Sequence, residues 1–176
     1  MSQTPPQLYN FTIQPPSATR PSTTLIPPPT FVLSTPPTSE ISPDANNLMA
    51  IASLVPASME AAIADLSGVS GDDLTGTLAV PATPLTDGSG VGFVFRNLRV
   101  EKLGEWRIRV IVLRMSDENH GAGSGLQNGI GRAKANAAGA VVGVELVSRV
   151  MTVAQSAEPN EDISAIDQEI LDRMSE

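Results

Sequence analysis

The side chains best able to do chemistry in this sequence are cations spaced two to five residues apart. Arg96, Arg99, Lys102, Arg107, Arg109 and Arg114 are six of the chain's eleven basic residues, and only two acids, Glu101 and Glu105, share their stretch. Side chains alternate along a strand, so Arg107 and Arg109 point to the same side. Such a strip can neutralise phosphates and so hold nucleic acid. The bland alternative is a solvated strand face whose cations meet surface acids. The chain as a whole is acidic, with a net charge of −8. That repels nucleic acid in bulk and favours solubility.

Other chemistry is sparse. Cysteine is absent, which removes disulfides, thiol catalysis and thiolate metal sites together. The only histidine is His120, beside a glycine-rich loop, with no partner that the sequence names. Asp72, Asp73 and Asp87 flank turns and lack the spacing of a calcium loop. No Gly-rich phosphate-binding pattern is present. Nothing places two carboxylates across a cleft as a glycosidase needs. The expectation is a protein that is not an enzyme, with no cofactor, no metal and no small-molecule substrate.

The elements that must position the arginines follow from length and pattern. A chain of 176 residues, 41% hydrophobic and 17% charged, is one domain, 1–176, able to bury a core. No apolar run nears the ~20 residues that span a bilayer, and the start lacks a signal-peptide pattern. No membrane association is expected. Eleven of the fifteen prolines precede Asp44. Residues 1–46 therefore read as a Pro-rich arm with short strands at Tyr9–Ile13 and Phe31–Leu33. The arm could also serve as an SH3 or WW ligand.

Residues 47–118 hold the expected core. Asn47–Val55 reads as a strand buried on both faces. Ser58–Leu66 switches to helical spacing and reads as a short internal helix. Leu74–Val80 alternates until Pro81 and Pro84 break it, and Asp87–Gly90 is a turn. Phe93, Phe95, Leu98 and Val100 alternate across a bend at Asn97. Trp106, Ile108 and Val110 alternate after a turn at Lys102–Glu105. The expectation is an antiparallel hairpin with these seven residues on a greasy face and Arg99, Arg107 and Arg109 together on the other. Residues 119–140 hold six glycines and read as a flexible loop. Residues 141–176 supply the last strands, with a break near Ser148. They end in a C-terminal helix striped by Ile163, Ile166, Ile170, Leu171 and Met174, with Ser164 as cap. Short strands, Pro and Gly turns and two brief helices point to an all-β sandwich.

The segment Val91–Val110 contains Phe-Val-Phe, then Asn-Leu-Arg-Val, then Gly-Glu-Trp-Arg-Ile-Arg. This resembles the central signature of the fungal velvet family. Ile13-Gln14-Pro15, Arg20 and Ile26-Pro27-Pro28-Pro29 are similar to that family's opening, in the same order. Val144–Ser148 and Met151–Val153 are similar to its last strand. The resemblance covers roughly residues 9–175. It implies an immunoglobulin/Rel-homology-like antiparallel β-sandwich. It also implies a nuclear regulator, shuttling with the cytoplasm, of fungal development, sporulation and secondary metabolism. The partners implied are other velvet proteins or a second copy, and double-stranded DNA contacted through Arg20, Arg99, Arg107 and Arg109.

Two stretches depart from the family pattern. The loop before Pro27 carries only Arg20, and Ala154–Asp162 carries Glu158, Glu161 and Asp162 with no base. Cations supply most non-specific DNA affinity. The alternative is therefore a dimerisation module of the same fold that has lost DNA contact. Without the resemblance, an unrelated structural or adhesion β-sandwich is the third possibility.

Overall fold

The computed structural model describes residues 11–34, 47–58, 73–115, 140–158 and 161–174. It is mostly β-sheet. The strands are β1 (Ala18–Thr19), β2 (Thr30–Ser34), β3 (Leu48–Pro56), β4 (Leu74–Thr75), β5 (Ala79–Pro81), β6 (Thr83–Pro84), β7 (Gly90–Val94), β8 (Arg99–Val100), β9 (Gly104–Met115), β10 (Ala140–Val147) and β11 (Met151–Val153). One helix, α1 (Ala165–Asp172), follows them. Tyr9, Asp72, His120, most of the expected internal helix and nearly all of the expected glycine loop lie outside the described residues.

β9 organises the largest sheet, ordered β1-β11-β9-β3-β5 with β10 also on β9. Its length fits its sequence, a run rich in β-branched residues and free of proline. β3 pairs with it from Leu48↔Arg114 to Pro56↔Trp106. Its other edge is shared: β11 takes Gly104–Trp106 and β10 takes Arg109–Met115. β2, β7 and β6 form a second sheet, and β4 pairs only with β8.

One core draws on all three sheets. It includes Phe31 and Phe93, stacked with centroids 4.7 Å apart, together with Ile108, Val110, Leu98 and Val100. Phe93, Phe95, Leu98, Val100, Ile108 and Val110 are buried as expected, whereas Trp106 is half-buried and packs against the core's edge. Trp106 sits at the strand's start, where its indole Nε1 donates to Lys102 O at 3.1 Å.

Four expectations need correction. The hairpin does not form: β7 pairs with β2 and β6, while β9 pairs with β3, β10 and β11. The reason lies at Asn97, which adopts φ +65. That left-handed step re-aims the chain, so Arg99–Val100 leaves the sheet of β7 and joins β4. Gly76 allows this approach, since a β carbon there would lie 2.0 Å from Asn97 O. Second, β3 is not buried on both faces throughout: Leu48, Ala50, Ala52 and Leu54 are buried on one face, while on the other Val55 is buried, Met49 and Ser53 are half-buried and Ile51 is exposed. Third, of the expected strand Tyr9–Ile13, the described part is a single bridge, Ile13↔Thr30. Fourth, the helical stripe splits. Leu171 and Met174 are buried, but Ile163 and Ile166 are exposed, because α1 meets the body only through its C-terminal end. Its start is as expected, with the Ser164 side chain accepting from Asp167 N.

At the break between β10 and β11 the backbone ladder is completed by a side chain. Ser148 N donates to Ile108 O at 2.8 Å, and Ile108 N donates to Ser148 Oγ at 2.9 Å. The hydroxyl takes the place of the strand carbonyl that the break removes.

Candidate nucleic-acid interface

Each of the four arginines expected to meet phosphate is placed differently. Arg20 follows β1 and is exposed, and its Nε donates to Ala157 O at 2.7 Å. Arg99 is exposed on β8, and its Nε donates to Thr24 Oγ1 at 3.3 Å. Residues 22–25 run antiparallel beside β8, with Ser22 N on Val100 O at 2.9 Å and Leu25 N on Leu98 O at 2.8 Å.

That edge also carries an anion. Glu101 accepts from the Ser22 hydroxyl and from Thr75 Oγ1 at 2.7 Å. The Ser22 hydroxyl, then Thr75, holds its carboxyl below the usual carboxylate range. An ionised Glu101 beside Arg99 weakens the attraction this edge offers to phosphate.

Arg107 and Arg109 lie elsewhere, on the outer face of β9. Arg109 is 6% exposed, and its Nε meets Glu145 Oε1 at 2.7 Å. The register explains the contact. Val147 stands opposite Arg109 and Glu145 opposite Ile111, so Arg109 and Glu145 are diagonal neighbours on one face. Arg107 is half-buried, and its Nη1 donates to Ser148 O at 3.2 Å. The expected surface cluster of Arg99, Arg107 and Arg109 is therefore not formed, because it depended on a hairpin that β7 and β9 do not make.

No family model matches this chain, and no curated protein is similar enough to match it.

Two arginines of the basic stretch outside the expected four are also exposed: Arg96, next to the Asn97 turn, and Arg114, near the end of β9. Among the described residues, no group of three or more His, Asp or Glu side chains could hold a metal ion. No described helix is long and apolar enough to cross a membrane.

Two further ionic contacts tie the chain's ends to its body. Glu161 accepts from Ser17 N at 2.6 Å and from the Ser17 hydroxyl, and it meets Arg149 Nη2 at 2.7 Å. The Ser17 hydroxyl is the main reason its carboxyl lies below the usual range. Asp87 accepts from Ser89 N at 2.9 Å and Ser89 Oγ at 2.6 Å, and Arg173 after α1 pairs with it.

Proposed function

We propose that this chain is a velvet-like regulatory domain that acts by pairing with itself or with a related velvet-type subunit. The β-rich body is then an immunoglobulin/Rel-homology-like sandwich, with the sheets centred on β9 and on β7 as its two layers. Their shared core of Phe31, Phe93, Ile108 and Val110 supports that arrangement. A nuclear regulator of fungal development, sporulation and secondary metabolism is the role that the resemblance of Val91–Val110 suggests.

Dimerisation is favoured over direct DNA contact by one observation: Arg109 is buried against Glu145. A cation spent inside the fold neutralises no phosphate. The test is light scattering on the full chain, with a mobility-shift assay over several salt concentrations. A dimeric mass, alone or with a velvet-type partner, is the expected result. A strictly monomeric mass at high concentration, with no partner captured, would overturn the proposal.

A second role rests on Arg20 and Arg99, which are both exposed. Direct DNA binding through these two gives a salt slope of about −1.8, roughly a 12-fold loss between ~50 and ~200 mM salt. A steeper slope requires cations elsewhere, with Arg96 and Arg114 the first to test.

A further inference from the structure

Most strand edges in this fold are short or blocked. β1 and β4 are two residues long, and β5 and β6 carry Pro81 and Pro84. Val32 of β2 donates its N–H to the Thr12 hydroxyl at 3.1 Å, and residues 22–25 run beside β8. Brevity, proline and covering chain are ordinary protection against unwanted strand pairing. The second edge of β10 has none of them. β10 is eight residues long, has no proline, and pairs with β9 alone among the described residues. A register shift between Val142 and Val144 bends its start. Just past its end, Gln14 Oε1 accepts from Arg149 N at 2.9 Å. Val144–Val147 is therefore the regular open stretch. Ser148 shows which of its groups are free. Ser148 N donates to Ile108 O, and backbone polar groups alternate sides along an antiparallel strand. Val144 and Leu146 thus turn theirs to β9, while Glu145 and Val147 turn theirs outward. Glu145 is exposed and Val147 half-buried, and the outward groups have no backbone partner among the described residues.

We propose that β10 pairs antiparallel with β10 of a second copy of this chain, extending the β9 sheet across a two-fold axis at Leu146. This rests on the self-pairing reading above and names the surface it uses. In that register Glu145 of each copy stands opposite Val147 of the other. These pairs exchange every outward N–H and C=O of the open stretch. The neighbouring register, with the axis at Glu145, sets two carboxylates opposite each other and is disfavoured. The Leu146 register avoids that clash and leaves each Glu145 side chain on its own Arg109. A two-fold contact uses the same patch on both copies, so pairing stops at the dimer.

The test combines light scattering with amide hydrogen exchange on the full chain, each over a range of protein concentration. The wild type is expected to reach a dimeric mass. The Glu145 and Val147 amides should exchange about ten-fold or more slowly in concentrated than in dilute protein, as mass action fills the edge. Val147→Pro should keep the fold, because the N–H it removes bonds nothing within the chain, and should stay monomeric. The exchange measurement needs no substitution, so it decides the matter if Val147→Pro folds poorly. A dimer in which both amides exchange equally fast at all concentrations would overturn the β10 surface and leave the pairing reading standing. So would a folded Val147→Pro variant that still dimerises. A strictly monomeric wild type would overturn self-pairing at β10, and capture of a velvet-type partner by that monomer would leave only the heterodimer. Slow exchange of both amides in the monomer would mean that the chain covers this edge itself, which also overturns the proposal.

Discussion

Met174 packs directly over Gly92. A β carbon on Gly92 would lie 2.3 Å from the Met174 sulfur and 2.9 Å from its methyl carbon. The glycine on β7 is thus a slot cut for the chain's C-terminal segment. Leu171 of α1 is also buried, and Arg173 O accepts from Thr86 N at 3.3 Å.

Gly92→Ala should therefore loosen α1 rather than unfold the body. The expected cost is about 1–3 kcal/mol, typical of overpacking. Hydrogen exchange should quicken across Ala165–Asp172 and stay slow in β9. Gly88→Ala is the control. No atom lies within 4 Å of a β carbon there, but Gly88 has φ +69, so its cost is local to the turn.

Ser148→Ala should destabilise by about 1–3 kcal/mol, because Ile108 N would be left buried without an acceptor. Ser53→Ala, whose hydroxyl reaches Arg109 O only at 3.4 Å, should cost less. Denaturant midpoints of the two variants, measured together, check the order.

Trp106→Ala should cost about 1–3 kcal/mol, less than the ~3–5 kcal/mol expected for Phe93→Ala in the closed core. The half-buried indole lies 5.5 Å from Lys102 Nζ. Its emission should fall between the buried and solvent limits and move red on unfolding. Emission already at the solvent limit in the native protein would contradict this placement.

The Glu161 contacts with Ser17 and Arg149 should make stability depend on acid pH. The folded carboxyl titrates below its ordinary value of 4.5, chiefly through the Ser17 hydroxyl. Its contribution is thus fully present above about pH 4.5 and is lost as pH falls further, through the depressed folded value. Urea midpoints of the wild type and Glu161→Gln should differ by a constant amount at neutral pH and converge below pH 4.5. A gap that persists unchanged into acid would sink the assignment.

Much of the strand content was legible because it is written in short-range alternation. Trp106, Ile108, Val110 and Val112 mark one face of β9 whatever strands lie beside it. The cap at Ser164 and the turn at Asp87 are also local and read directly from residue type. Pairing was not legible in the same way. Whether Phe93–Val100 folds back on Trp106–Val112 depends on the conformation of Asn97, and a tolerant residue there permits both a bulge and a change of sheet. The arginine cluster inherited that ambiguity. The contact between Arg109 and Glu145 is set by the register of β9 on β10, which no spacing within either strand encodes. The half-exposed helix escaped for a related reason: its isoleucines fit a stripe, but only Leu171 and Met174 are buried, Met174 in the slot at Gly92.

The division of β9 between two late strands has a consequence for synthesis. β3 can pair with β9 once Met115 has emerged from the ribosome. The opposite edge of β9 must wait for residues 140–153, and β1 waits longer, since Ala18 and Thr19 pair in parallel with Thr152 and Val153. During that interval the nascent chain carries twelve residues of strand with one open edge. Arg109 is then without Glu145 and Ile108 without Ser148. Such an edge invites pairing with other chains. A nascent chain paused before residue 140 should therefore depend on chaperones more heavily than the finished protein, and the arrival of β10, Ser148 and β11 together ends that dependence.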